Sequence, residues 1–211
     1  MTRLAFVNLL TLSRAPLTLL ATLSALANLA RPSRGWVAAT AALLALSSIT
    51  DLFDGKLARR WGVTSRLGAL SDPLMDKLFF VLTLPAATFI ALFTGDLVHA
   101  SVLLALDILS IGRDLWITFL RAATAGTDAK MAAGWAGKIR TALAFPVITA
   151  VHLVLGIRVL AAHGMASLQI PSAPLYALEG ILLAVTLVSA LAYTRYYLPY
   201  LKAAAGTPPS A

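Results

Sequence analysis

The sequence predicts an all-α integral membrane protein: six transmembrane helices preceded by an N-terminal surface helix, with both termini on the cytoplasmic side. Three observations carry this. Hydrophobic residues make up 59% of the 211 residues and charged ones 12%, with a mean hydropathy of +0.84. Soluble domains run nearer half apolar and about a quarter charged, so lipid is the main solvent for this chain. The apolar residues gather into stretches near the roughly 20 residues that a helix needs to cross a hydrocarbon core of about 30 Å. Basic residues, finally, are shared unevenly between the connecting segments.

Residues 2–15 are apolar but carry Arg3, Asn8 and Arg14, the pattern of a helix lying along a membrane surface. The apolar run continues well past the core of a signal peptide. Spans follow at roughly residues 16–30, 36–54, 70–94, 97–122, 139–162 and 175–198. No period marks an internal repeat, so residues 1–202 read as one membrane domain. Residues 203–211, with Gly206, Pro208 and Pro209, read as a disordered tail.

With the N-terminus inside, the cytoplasmic side receives Arg3, Arg14, Lys56, Arg59, Arg60, Arg66, Arg121, Lys130, Lys138, Arg140, Arg195 and Lys202. The other side keeps only Arg31, Arg34 and Arg158, as the positive-inside rule requires. The net charge of +8 therefore reads as topology and attraction to anionic headgroups, not as a nucleic-acid surface. Cysteine is absent, which excludes disulfides and thiolate chemistry.

Chemistry concentrates in one segment. Of nine acidic residues, four are Asp51, Asp54, Asp72 and Asp76. Asp51 and Asp54 stand three apart at the end of the second span, Asp72 and Asp76 four apart at the start of the third. Either spacing places both carboxylates on one helix face. The short connection makes these two helices antiparallel neighbours, so all four carboxylates converge near the cytoplasmic surface. Clustered carboxylates repel one another and call for cations. Oxygen ligands without His or Cys favour Mg²⁺ or Mn²⁺. Two such ions about 4 Å apart are a recurrent device for displacement at phosphorus. Gly55 admits a ligand to the backbone, and Arg59 offers a planar fork to phosphate.

The run Asp51-Leu-Phe-Asp54-Gly55-Lys-Leu-Ala58-Arg59, eight residues, Gly68, three residues, Asp72, three residues, Asp76 resembles the signature of the CDP-alcohol phosphotransferases. The resemblance extends to the six-span layout and covers nearly the whole chain. It implies transfer of a phosphatidyl group from CDP-diacylglycerol to an alcohol, and a homodimer in the cell (inner) membrane with its active site facing the cytoplasm. It further implies that Asp51, Asp54 and Asp72 hold one metal ion and Asp51, Asp72 and Asp76 a second, with Asp76 also the general base. Gly55, Ala58, Arg59, Ser65 and Gly68 would lie along the CDP moiety, joined by Asn8 and Thr11 of Asn8-Leu-Leu-Thr11-Leu-Ser-Arg14.

The acceptor is addressed by Ile111-Gly-Arg113-Asp114, Leu120-Arg121 and Gly137-Lys138-Ile-Arg140-Thr141, together with Ser71-Asp72-Pro73-Leu74-Met75-Asp76-Lys77. These resemble the phosphatidylglycerophosphate synthases. Arg113, Arg121, Lys138 and Thr141 would then hold the phosphate of glycerol 3-phosphate. Asp114 stands where that group has Glu, and the Gln usual a few residues after Thr141 is missing. The Gly-Arg-Asp form also occurs in cardiolipin synthases, which keeps phosphatidylglycerol open as acceptor beside inositol phosphate and serine. An ion pair tying helices together is the structural alternative for Arg113 and Asp114.

The remaining polar residues read as structural. Asp107 faces a polar interior or, the favoured expectation, pairs with a basic group, and Glu179 is expected to sit at an interface. His99, His152 and His163 form no metal-ligand spacing. Tyr193, Tyr196, Tyr197 and Tyr200 fit an interfacial aromatic cluster. Ala38, Ala41, Ala42, Ala45 and Ser48 of the second span fit close helix packing. A cation transporter is the competing class. Transporters place ligands near the midplane between repeats, whereas these aspartates sit at helix ends.

Overall fold

The computed structural model describes residues 2–63, 65–127, 135–168 and 170–206, and among these it holds six α-helices and no strand. They are α1 (Arg3–Ala30), α2 (Arg34–Trp61), α3 (Arg66–Phe93), α4 (Leu97–Ala123), α5 (Trp135–Ala162) and α6 (Ala173–Gly206). Five of them, all but α4, are long and apolar enough to cross a membrane. α4 has 27 residues, but every stretch of it long enough to span takes in Asp107, Arg113 and Asp114. Leu20, Leu23, Phe89, Leu104, Ile108 and Leu191 stand exposed on the outer faces, as suits a multi-pass protein whose surroundings are apolar.

The expected surface helix and first span form one continuous helix, α1. Pro16, taken as a boundary, lies inside it. A proline removes one backbone hydrogen bond, which a packed membrane helix tolerates. α1 turns a polar stripe inward: Thr11, Arg14, Thr18, Thr22 and Asn28 are all buried. That stripe explains a second difference. α2 and α3 do not pack on each other among the described residues; α1 packs against both. The helices bearing the aspartates thus face each other across α1. At the other terminus, α6 continues through Gly206, and the rest of the expected tail lies outside the described residues, as does Lys130.

The core gathers Phe79, Leu84, Leu103, Leu106, Ile148, Leu155 and Leu182 from α3, α4, α5 and α6. α2 meets α5 closely, since a Cβ on Gly156 would fall 3.0 Å from Val37 Cγ2, and from α1 Asn28 Nδ2 donates to the same Gly156 carbonyl at 3.2 Å. Side chains cap the helix starts that matter most. Ser65 Oγ accepts from Gly68 N at 2.9 Å to open α3, and Asp96 Oδ1 accepts from His99 N at 3.0 Å to open α4.

At the end of the bundle away from the aspartates lies a polar lock. His99 Nε2 and Glu179 Oε1 are 2.7 Å apart, and neither side chain has any exposure. Arg158 bonds Asp96 at 2.9 Å and Ser172 at 2.7 Å, joining α4, α5 and α6. Glu179 is therefore a buried partner of His99 and not an interfacial residue. Asp107 is also corrected: among the described residues it has no ion pair, and its Oδ1 is buried without a hydrogen bond.

Candidate active site

The carboxylates come together through α1. Asp51, Asp72 and Asp76 each offer an oxygen within 4.8 Å of the others. Between them lies Arg14, its side chain only 2% exposed. Its Nη1 is 2.7 Å from Asp51 Oδ1 and 2.8 Å from Asp72 Oδ1, and its Nη2 donates to Asp76 Oδ1. Asp54 stands beside this group, accepting from Thr11 Oγ1 at 2.8 Å. Spacing in the chain identified the four aspartates. It did not single out Arg14, whose role depends on α1 running between α2 and α3.

The donor set suits a hard divalent ion. Three carboxylate oxygens from two helices converge, without thiolate or imidazole among them. Asp72, with a side chain 56% exposed, leaves the group open to solvent on one side. The structure itself answers the repulsion with a guanidinium, which shows that this place demands positive charge. Asp51, Asp72 and Asp76 are thus compatible with a metal site.

Two cavities flank the carboxylates. One of about 220 Å³ is lined by Asn8, Thr11, Asp54, Gly55, Ala58, Val63, Ser65, Gly68 and Asp72. Its floor is built by the cap of α3: Ser65 Oγ accepts from Gly68 N and donates to Asn8 Oδ1 at 2.8 Å. A Cβ on Gly68 would come within 3.1 Å of Ser65 Oγ and 3.4 Å of Asn8 Oδ1, closing the space. At Gly55 a Cβ would lie 3.5 Å from the Arg59 guanidinium, an ordinary van der Waals contact. Arg59 itself is exposed at the rim.

The other cavity is an apolar groove of about 920 Å³ between α2 and α5. Asp51, Gly137, Lys138 and Thr141 line one end, and Ile49, Pro146, Ala150 and Leu153 line the rest. Ala45 and Ser48 line it too, so these small residues of α2 open a groove and do not serve only close packing. Phe145, also lining it, lies 5.8 Å below the Arg14 guanidinium, and its ring packs against that of Phe79 with centroids 4.3 Å apart and planes tilted by 45°.

Beyond the aspartates lies a second charged layer. Asp114 accepts from Arg113 at 2.8 Å and from Arg140 at 3.2 Å. Arg113 also donates to Ser189 Oγ and lies 5.2 Å over the Tyr193 ring, which Arg121 approaches at 5.7 Å. The tyrosines are thus more than a rim, since Tyr193 and Tyr197 are buried against Ile117 and Leu120. The missing Cβ of Gly137 would stand 3.3 Å from Arg113 Nη2. That sets Arg113 against Gly137, which precedes the exposed Lys138 and whose carbonyl accepts from the Thr141 hydroxyl. Arg140 joins this layer although the sequence pattern marks its neighbours Lys138 and Thr141 instead. It is 3% exposed, lies 4.5 Å over Phe80 and is close enough to Asp76 to feel its charge. The Nε atoms of Arg113 and Arg140 are buried without partners. A charged residue inside an apolar helix was the available signal for Arg140.

Comparison with known proteins identifies relatives of the chain. A family model described as CDP-alcohol phosphatidyltransferase matches residues 4–192. A protein of Sodalis glossinidius (strain morsitans) is 33% identical over 117 residues, which cover 48% of this chain and 53% of its own length. One of Escherichia coli (strain K12) is 32% identical over 119 residues, covering 49% and 54%. Both are named CDP-diacylglycerol–glycerol-3-phosphate 3-phosphatidyltransferase. The chain spans about half the length of the curated relatives it matches.

Proposed function

Since the chain belongs to the CDP-alcohol phosphatidyltransferase family, we propose that it transfers the phosphatidyl group of CDP-diacylglycerol to glycerol 3-phosphate, releasing CMP. One observation carries the reading: the carboxylate group stands between a small polar pocket and a long apolar groove. A nucleotide-lipid has the same two halves, joined at the diphosphate. The cytidine and its phosphate would occupy the pocket of Asn8, Thr11, Gly55, Ala58, Ser65 and Gly68, with Arg59 at its rim. The acyl chains would lie along the groove toward Leu153.

Asp51, Asp54, Asp72 and Asp76 would hold two Mg²⁺ or Mn²⁺ ions, which polarise the diphosphate and offset charge on the departing CMP when bound. The chain's own residues do the rest. Asp76 takes the proton of the acceptor hydroxyl as its oxygen bonds to the lipid-bearing phosphorus and the bond to CMP breaks. Arg113, Arg121 and Lys138 hold the acceptor phosphate, with Thr141 beside them. Arg140, steered by Asp114, adds to that charge. Positioning supplies much of the acceleration. The distribution of basic residues supports a cytoplasmic face for the site, in an inner membrane.

The test offers purified protein CDP-diacylglycerol with one acceptor at a time and identifies the lipid product. Phosphatidylglycerophosphate formed only with glycerol 3-phosphate is expected. Product formed instead from phosphatidylglycerol, inositol phosphate or serine would replace the acceptor and leave the donor reading intact.

A further inference from the structure

Arg14 is more deeply buried than the carboxylates it bonds: its side chain is 2% exposed, against 20% for Asp51, 34% for Asp76 and 56% for Asp72. It engages one oxygen of each. Those are the carboxylates that would bind a divalent ion, so guanidinium and ion compete for the same negative charge. We propose that Arg14 is the resident counter-ion of the metal-free site, and that it holds back cation binding until a diphosphate offers its guanidinium another anion.

This rests on the metal reading above and concerns what the protein does before the ions are bound. Its support is the placement of Arg14. The same helix carries Asn8 and Thr11 into the nucleotide pocket, and Thr11 is bonded to Asp54. The residue that pairs with the carboxylates therefore shares a rigid element with those that would sense the nucleotide. The guanidinium also lies over Phe145, which lines the apolar groove. A planar fork pairs as well with phosphate as with carboxylate. Diphosphate binding thus frees the carboxylates, and by linkage cations favour the diphosphate in turn. The device offsets part of the carboxylates' mutual repulsion before cations bind.

A purely structural salt-bridge node makes the opposite prediction, because its removal would scatter the carboxylates and weaken ion binding. The full chain in detergent, stripped of metal, is titrated with Mn²⁺ while free Mn²⁺ is followed by electron paramagnetic resonance. Wild type is compared with Arg14→Gln and Arg14→Lys. Without nucleotide, Arg14→Gln is expected to bind Mn²⁺ about tenfold more tightly than wild type or better, the size expected when a closely competing charge is removed. Arg14→Lys should fall between them. Adding CDP-diacylglycerol should tighten Mn²⁺ binding more in wild type than in Arg14→Gln. Wild-type or weaker affinity in Arg14→Gln overturns the proposal. If that variant melts without a folded transition, Arg14→Lys decides, and affinity no tighter than wild type is the contrary result. Equal Mn²⁺ binding by all three proteins sinks only the role of Arg14. No binding by any of them sinks the metal reading with it.

Discussion

Asp76→Asn is expected to lower CMP release by about a thousandfold, within the range by which a positioned general base speeds proton transfer. Asn keeps the size of the side chain and an oxygen that accepts from Arg14, so the local packing survives. It cannot accept the hydroxyl proton, and it removes one negative charge from the group formed with Asp51 and Asp72. The polar pocket is lined by Asn8, Thr11, Ser65 and Gly68 and not by Asp76. CDP binding measured by calorimetry should accordingly change only a few-fold, and the melting temperature should hold. Turnover near the wild-type rate would move the base to another residue. Loss of CDP binding along with turnover would make Asp76 a binding residue instead.

His99→Leu is expected to destabilise the bundle by about 3 kcal/mol, because it strands a buried acid. Glu179 has no exposure, and its Oε2 already lacks a partner. Leu fills the volume of the imidazole but leaves Oε1 unbonded as well. The loss should appear in detergent thermal melts. Glu179→Gln, which keeps a group able to bond His99, should cost less. Both variants should retain CMP release at low temperature, since the lock lies at the end of the bundle opposite the aspartates. A His99→Leu protein that melts with wild type would show that Glu179 finds another partner.

What could be read from the chain was whatever local pattern determines. Helix positions follow from apolar runs matched to bilayer thickness, and the four aspartates follow from their i, i+3 and i, i+4 spacing around Gly55 and Gly68. What was hidden depends on how distant segments pack. Pro16 looks like a break when read locally, yet α1 runs through it. The short connection from α2 to α3 suggested direct packing, but the inward polar stripe of α1 takes the place between them. That one difference hides Arg14, since a basic residue near a membrane surface ordinarily reads as a topology signal. Glu179 and His99 are 80 residues apart, and no spacing rule pairs them. Arg140 was visible as a charge in an apolar helix but was outweighed by its neighbour Lys138, which fits a more familiar pattern.

The most direct test of a metal-dependent phosphatidyl transfer at the aspartates is CMP release from CDP-diacylglycerol and glycerol 3-phosphate, before and after removal of divalent ions by EDTA. Release that stops with EDTA and returns with Mg²⁺ or Mn²⁺ is the expected result. Release that continues in the metal-free protein would contradict it, as would folded protein that releases no CMP with the ions restored.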